Sequence, residues 1–134
     1  AKGDIVQIDI GATYKGYCSD RSDVFFTGKP TALQKQVYIA VLDAKERAKA
    51  AVKVRASTSK IDSIARETLR KYGFEQYFIH SLGHGVGIDI HEGVSLSSRG
   101  TDEKLLKNEV ITIEPGVYMT GKFGIRLEDM VVVR

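Results

Sequence analysis

The sequence predicts a single α+β domain, and two observations carry that prediction. Residues 5–26 and 110–133 each consist of two apolar runs around a short polar turn, which is the pattern of a β-hairpin. Between the hairpins lie two segments in which apolar residues recur at helical spacing. A chain of 134 residues is long enough to build one hydrophobic core around these elements.

The first hairpin brings two carboxylates together. If its turn is centred between Tyr14 and Lys15, Asp9 lies directly opposite Asp20. Two carboxylates in that arrangement repel each other and destabilise the strand pair. A shared proton, a cationic side chain or a metal ion would offset the repulsion, and a metal ion offsets it best.

The second hairpin repeats the device. A turn centred on Gly121 places Glu114 opposite Glu128, and Pro115 predicts an edge or a bulge at that point. Asp9 and Glu114 both interrupt apolar runs, where a charge is costly unless it is compensated. The alternative is that these carboxylates are ordinary polar positions on a solvated sheet face. The repetition favours a single site lined by four carboxylates.

The two helices have recognisable starts. Thr31 is a good N-cap with Gln34 as its capping-box partner, and this helix is predicted to extend to about Val52. Ser57 caps the second helix, which is predicted to end at about Lys71. The apolar stripe of the first helix is rich in alanine, so the helix can approach a sheet closely.

All three histidines of the chain, His80, His84 and His91, lie within twelve residues. Three glycines surround His84, which excludes a regular helix and lets the backbone approach a ligand closely. With the carboxylates, this context favours His84 as a metal ligand. His80 and His91 have either a catalytic or substrate-contact role or a plain hydrogen-bonding role. Residues 93–108 are polar and are predicted to form a loop.

Four carboxylates and one imidazole form a hard, oxygen-rich ligand set. Such a set favours two divalent ions such as Mn²⁺ or Co²⁺ over a thiolate-type zinc site, and it suits metal-assisted hydrolysis of an amide. Arg126 shares the predicted face of Glu128, where a guanidinium would orient the ligand carboxylates. The alternative is an ordinary surface arginine.

Composition excludes several other classes of protein. The net charge is +3 and the basic residues are spread along helices and loops, which indicates solvated surface and no nucleic-acid patch. The lone Cys18 excludes a disulfide within the chain and suits a reducing, cytoplasmic setting. No apolar run approaches membrane-spanning length. Because the chain lacks an initiator Met and both ends adjoin strands, we expect it to be part of a longer protein.

Four motifs carry a family resemblance: IDIGATYKGYCSD, HSLGHGVGIDIHE, ITIEPGVY and GIRLED. In this order they resemble the motifs of the pita-bread metallopeptidases, and most of all those of X-Pro dipeptidases (prolidases) and aminopeptidase P. Methionine aminopeptidase is less similar because of the spacing of the three histidines. The resemblance implies an incomplete pita-bread fold, a curved antiparallel sheet with helices on one face. It makes residues 1–134 the C-terminal part of a catalytic domain.

The resemblance also assigns the metal ligands. Asp9 and Asp20 match the paired aspartates, with Asp20 bridging. His84 and Glu114 match the histidine and glutamate on one metal. Glu128 matches the bridging glutamate that also takes the proton from the attacking water. The implied cofactors are two divalent ions, Mn²⁺ or Co²⁺, with Zn²⁺ or Fe²⁺ as alternatives.

Further residues match positions around the metals. His80 and His91 match catalytic histidines that contact substrate or relay protons, and Arg126 matches an arginine behind the ligands. Ser22 keeps the hydroxyl of the family's threonine, whereas Asp23 stands where the family has arginine. The implied substrate is a dipeptide or short peptide cleaved before proline.

Two alternatives to an active peptidase remain. The first is a non-catalytic pita-bread module that binds peptides or proteins, although such relatives typically lose metal ligands. The second is a fragment that folds without turning over substrate. Because the other half of the family's domain would cover one face of the sheet, we expect an exposed apolar face and self-association, with a dimer as the simplest form.

Overall fold

The structure is a computed structural model that describes residues 3–134. The elements in chain order are β1 Ile5–Tyr14, β2 Tyr17–Phe26, α1 Ala32–Ala50, α2 Thr58–Lys71, a 3-10 helix Glu75–Tyr77, β3 Gly83–Gly85, β4 Glu92–Leu96, β5 Val110–Ile113, β6 Gly116–Met119, β7 Phe123–Arg126 and β8 Asp129–Val132. The predicted α+β class is confirmed.

The strands form three antiparallel ladders. One holds β1 and β2, another has the order β4-β3-β5-β8, and the third holds β6 and β7. Helix α1 packs against α2 and against β5, β6 and β7, while α2 also contacts β4. Their shared core includes fully or almost fully buried Val37, Ile61, Leu69, Ile111 and Ile125.

Both helix starts follow the prediction. The Thr31 side chain accepts a hydrogen bond from the Gln34 amide, and the Gln34 side chain accepts one from the Thr31 amide, which completes the capping box. Ser57 caps α2 in the same way, through the amide of Lys60. The alanine-rich stripe of α1 is buried as predicted.

The turn of the first hairpin differs from the prediction. Tyr14 pairs with Tyr17, so the loop consists of Lys15 and Gly16 alone. Both have positive φ, 50° and 84°, as a type I′ turn requires. This turn matches the twist of the strands, which explains why the turn is centred one residue beyond the predicted position and the pairing is shifted by two residues.

The predicted pairing of Asp9 with Asp20 is therefore wrong. Asp9 pairs with Ser22, and Asp20 pairs with Gly11. Because side chains alternate with a period of two, this register shift leaves both aspartates on the same face of the hairpin. They are diagonal neighbours instead of directly opposed residues.

The second hairpin has the predicted register, but its ladder is interrupted. Ile113 pairs with Asp129 in one ladder and Gly116 pairs with Arg126 in the other, and both pairs share the offset set by a turn at Gly121. No extra residue is inserted, so the interruption is a break in the pairing and not a bulge.

The break gives two backbone amides to other partners. The Glu114 amide donates to the carbonyl of Leu82 at 2.8 Å, and the Glu128 amide donates to the carbonyl of Ser22 at 2.9 Å. The second hairpin is thereby joined to the segment before β3 and to β2. The two glutamates lie where the three ladders meet.

Two further predictions need correction. The segment 93–108 is not all loop, because β4 extends to Leu96 and pairs with β3. The basic residues are not all solvated: Lys45 and Arg66 are about nine-tenths buried, each beside a carboxylate. The burial follows from charge pairing, which sequence periodicity does not reveal.

The expected exposed apolar face is present. Val6, Ile8 and Ile10 of β1 and Phe25 of β2 are between 42% and 65% exposed on one side of the first hairpin. Asp23, the departure from the family pattern, pairs with Ile8 and so lies on this side, away from Asp9 and Asp20. Within residues 3–134, no helix has both the length and the hydrophobicity needed to cross a membrane.

Candidate metal centre

Three of the five predicted ligands converge on one point. Asp20, His84 and Glu128 each offer a ligand atom, and these atoms lie within 4.8 Å of one another. The Nε2 atom of His84 is 3.6 Å from Asp20 Oδ2 and 3.3 Å from Glu114 Oε1, which brings in a fourth ligand. These four side chains come from β2, from β3 and from the break between the ladders.

The backbone around His84 explains how its ring reaches this point. A Cβ atom on Gly83 would lie 2.0 Å from the carbonyl oxygen of Thr112, so only glycine permits such a close approach of β3 to β5. The His84 amide donates to Thr112 Oγ1 at 3.0 Å. The ring Nδ1 lies 3.0 Å from the Gly85 carbonyl, which can only accept. Nδ1 therefore carries the proton, and the Nε2 lone pair faces the carboxylates.

Two of the carboxyl groups are held in an environment that disfavours their charge. Burial, with help from the charges of Asp20 and Asp9, raises the pKa of Glu114 to about 7. Burial and the neighbouring Glu114 raise the pKa of Glu128 to about 7. A divalent cation would relieve both effects, because it replaces the protons as the counter-charge.

Glu128 is the most deeply buried member of the cluster, with 2% of its surface exposed. Its Oε2 atom accepts a hydrogen bond from Ser22 Oγ at 2.8 Å, and Ser22 Oγ in turn accepts from Arg126 Nε at 3.0 Å. Its Oε1 atom has no hydrogen-bond partner among the described residues. A buried carboxylate oxygen needs a partner, and a metal ion bound beside Asp20 and His84 would supply one.

Asp9 stands apart from the tight cluster. Its side chain is half exposed and its carboxylate is paired with Arg126 Nη2. Arg126 also lies 3.9 Å from Glu114, so one guanidinium contacts two of the predicted ligands. The side-chain amide of Gln7 holds the backbone of Arg126 through two hydrogen bonds, of 3.0 and 3.1 Å. Gln7 was not predicted, although it shares the face of Asp9.

Tyr118 is a second residue that sequence reasoning missed. Its hydroxyl lies 2.9 Å from His80 Nε2 and 3.3 Å from Arg126 Nη1. Its ring lies so close to Gly116 and Gly124 that a Cβ at either would come within 3 Å of it. The available signal was its alternation with Glu114 and Gly116, because these three residues share one face of the strand.

His80 has a defined tautomer. Its Nδ1 atom lies 2.7 Å from the carbonyl of Ser81, which can only accept, so Nδ1 carries the proton. Nε2 then accepts the hydroxyl hydrogen of Tyr118. Burial, together with the positive charges of Arg126 and Arg66, lowers the pKa of His80. The ring is therefore neutral at pH 7.

His91 completes the side of the site that faces solvent. Its ring lies 3.9 Å from the ring of His84, centroid to centroid, at an angle of 46°. A cleft of about 610 Å³ opens here, and its lining includes His80, His84, His91, Glu114 and Arg126. The cleft is large enough for a small peptide.

Nine site residues were predicted, and the structure brings them into one connected region. They are Asp9, Asp20, Ser22, His80, His84, His91, Glu114, Arg126 and Glu128. The oxygen-rich donor set with one imidazole suits hard or borderline divalent ions, and the Glu128 oxygen that no described residue contacts by a hydrogen bond is available as a ligand atom beside Asp20 and His84. The residues present therefore fit a metal centre.

Known proteins resemble this chain closely. It is 47% identical to an Xaa-Pro dipeptidase of Pyrococcus furiosus over 133 residues, which cover 98% of this chain and 38% of that protein. Among solved structures, the prolidase from Pyrococcus furiosus superposes with a TM-score of 0.95 at 45% identity, with 98% of this chain and 39% of that one covered. The X-Pro aminopeptidase from Thermotoga maritima gives a TM-score of 0.94 at 46% identity, with 98% and 37% covered.

The chain thus spans less than two fifths of the length of these relatives. The solved structures confirm the fold expected from the sequence motifs. The pattern that defines metallopeptidase family M24 matches residues 1–134 in full. The chain belongs to metallopeptidase family M24, whose members work with divalent metal ions.

Proposed function

We propose that this chain is the C-terminal part of the catalytic domain of a peptidase that uses two divalent metal ions and hydrolyses the X-Pro bond of dipeptides or short peptides. The observation that carries the proposal is the buried Glu128 carboxylate, whose Oε1 has no hydrogen-bond partner within residues 3–134 and which lies in the same cluster as His84 and Asp20. The relatives named Xaa-Pro dipeptidase supply the substrate class.

Five residues would hold the metals: Asp9, Asp20, His84, Glu114 and Glu128. Two ions would need carboxylates that both of them share, and Asp20 and Glu128, which match the family's bridging residues, lie in one cluster with His84. Mn²⁺ or Co²⁺ suits this set best, because oxygen ligands dominate it and no cysteine takes part. When bound, the metals would supply a Lewis acid for the peptide carbonyl and lower the pKa of the attacking water.

The protein's own groups divide the remaining work. Glu128 is the carboxylate that would accept the proton of the attacking water and pass it to the departing proline nitrogen. Ser22 holds the Oε2 atom of that carboxylate, so the acceptor keeps one orientation. Arg126 pairs with Asp9 and keeps this exposed ligand turned toward the site.

The histidines face the cleft from which a substrate would enter. His80 carries its proton on Nδ1 and accepts the Tyr118 hydroxyl hydrogen on Nε2, so these two contacts would hold the ring in one orientation in the cleft wall, beside a bound substrate. His91 lies over the ring of His84 at the mouth of the cleft, where it would contact the substrate.

The proposal is tested by metal analysis combined with turnover. The chain, purified after chelation, is titrated with Mn²⁺ by calorimetry and assayed with an X-Pro dipeptide. We expect close to two ions per chain and hydrolysis that depends on Mn²⁺. Glu128→Gln keeps the size of the side chain but removes the proton acceptor, so turnover should fall by at least a hundredfold.

The possible results distinguish an active peptidase from an inactive fragment and from a chain without a metal centre. Turnover that disappears in the Glu128→Gln variant supports the peptidase. Two bound ions without turnover support a chain that needs the rest of its domain. Failure to bind any divalent ion would exclude the proposed metal centre, whatever the assay gives.

A further inference from the structure

We propose that Arg66, on helix α2, is a positioning residue that sets the orientation and the tautomer of His80. The inference deepens the proposed function, because it rests on the assignment of His80 to the peptidase reaction. It concerns a residue outside the metal ligands and outside the cleft.

Arg66 donates hydrogen bonds to two backbone carbonyls in the segment that ends at His80. Its Nη1 donates to the carbonyl of Phe78 at 3.0 Å, and its Nη2 donates to the carbonyl of His80 at 2.7 Å. Arg66 is 9% exposed, and its guanidinium carbon lies over the Phe78 ring, 4.4 Å from the ring centre. The planar guanidinium thus holds two backbone carbonyls, two residues apart, at once.

The Phe78 ring passes this constraint to His80. The two rings meet edge to face, with their centroids 5.0 Å apart. Phe78 is 1% exposed, so it has no freedom to turn without moving its neighbours. Arg66 therefore restrains His80 through its own carbonyl and through the aromatic ring beside it.

Asp62 anchors the arginine in turn. It is fully buried, and its Oδ2 accepts from Arg66 Nε at 2.7 Å and from the Ser98 amide at 2.9 Å. A buried ion pair adds little net stability, because apolar residues of similar volume often stabilise a protein equally well. Its directional bonds into the His80 segment give it a use that apolar packing does not supply.

The consequence for His80 is chemical as well as geometric. The Ser81 carbonyl accepts from Nδ1 and the Tyr118 hydroxyl reaches Nε2 only while the backbone keeps its present path. If the path relaxes, both contacts weaken together and the ring is no longer held as the Nδ1–H form. Arg66 would then affect proton movement without touching substrate.

The test is NMR of the metal-free chain labelled with ¹⁵N in its histidines. In the wild type, the His80 ring should give two well-separated nitrogen shifts, with the proton on Nδ1. The variant is the double substitution Asp62→Asn with Arg66→Met, which removes both charges and leaves an acceptor for Ser98. We expect the two His80 shifts to move toward each other as the tautomers average.

A matched control lies one helical turn further along α2. Arg70 pairs with Glu75 through two hydrogen bonds but is mostly exposed, so Arg70→Met should leave the His80 shifts unchanged. In both variants Mn²⁺ affinity, measured separately by calorimetry, should remain within threefold of the wild type. Unchanged His80 shifts in the folded double variant would overturn the proposal.

A second variant protects the test against misfolding. Arg66→Lys keeps a positive charge beside Asp62 but cannot bridge both carbonyls, so it should fold and shift the His80 signals in the same direction. Where X-Pro turnover is measurable, kcat should fall by about tenfold or more while KM changes less than threefold. A chain without turnover bears on the proposed function alone, because the NMR result stands independently.

Discussion

Removal of the Ser22 hydroxyl is the sharpest test of the metal centre. Ser22 is 1% exposed, and its hydroxyl donates to Glu128 and accepts from Arg126 at 2.8 and 3.0 Å. In Ser22→Ala, both oxygens of the Glu128 carboxylate lack a donor among the described residues, and Arg126 loses one acceptor. No other described polar side chain contacts that carboxylate at hydrogen-bonding distance.

The size of the effect follows from these contacts. A hydrogen bond to a charged group contributes about 1.5–3 kcal/mol. Loss of an outer partner of a metal-binding residue typically lowers metal affinity by about 10–100-fold. We therefore expect Ser22→Ala to weaken Mn²⁺ binding by about that factor and to lower the free energy of unfolding of the metal-free chain by about 2 kcal/mol.

Calorimetric titration with Mn²⁺ measures the first quantity, and guanidinium unfolding in the presence of a chelator measures the second. Ser22→Thr restores the hydroxyl and should bind nearly as tightly as the wild type. Ser19→Ala is a matched control, because the hydrogen bonds of the exposed Ser19 hydroxyl within residues 3–134 go to the backbone of Ala12. Mn²⁺ affinity within threefold of the wild type in Ser22→Ala would refute the reasoning.

Four further predictions follow from other features. Gly83→Ala places a Cβ 2.0 Å from the Thr112 carbonyl, so it should lower the free energy of unfolding by about 3 kcal/mol or more, measured by chemical denaturation. Asp129→Asn removes the carboxylate that lies 2.8 Å from buried Lys45, and the melting temperature should fall by an amount equivalent to about 3 kcal/mol. Metal binding near pH 7 should release protons, because Glu114 and Glu128, with pKa values raised to about 7, are partly protonated without metal. Calorimetry in two buffers of different ionisation enthalpy measures this proton release. The number of protons released should fall above pH 8, where both glutamates are already ionised. The wild-type chain should sediment as a dimer, and Ile8→Lys, on the exposed apolar face, should sediment as a monomer.

The two stability predictions have control variants in the same chain. Gly100→Ala adds a Cβ whose nearest neighbour is the Ser97 Cβ at 4.0 Å, an ordinary contact distance, and it should be neutral. Glu46→Gln removes an exposed carboxylate 3.7 Å from Lys45 and should cost well under 1 kcal/mol. The stability predictions would be contradicted if a variant and its control lost equal free energy of unfolding. Proton release that does not vary with pH would contradict the third prediction, and a wild-type chain that sediments as a monomer would contradict the fourth.

Much of the site follows from the alternation of side chains along strands. Asp9 and Asp20 were placed on one face correctly even though their pairing was wrong, because a register shift of two residues preserves the face. The shift itself arose from Lys15, which adopts a positive φ that sequence reasoning does not assign to lysine. The carboxylate pattern was therefore more informative than the turn.

What the sequence did not reveal is mostly held by contacts between distant segments. Tyr118 and Gln7 are both held by hydrogen bonds with Arg126. Residue spacing in the sequence does not reveal these two contacts. The burial of Arg66 depends on two backbone carbonyls that lie twelve and fourteen residues further along the chain. Helical periodicity places such a residue on a face of the helix but does not show what that face meets.

The break in the second hairpin has a mechanical consequence. At Glu114 and Glu128 the backbone bonds leave their own hairpin for Leu82 and Ser22, so three separately bonded ladders share one seam. Carboxylates gathered along a seam push its sides apart, whereas an ion between them pulls the sides together. A bound cation would therefore stabilise the fold as well as serve the reaction. In the metal-free chain, local unfolding would begin where the three ladders meet.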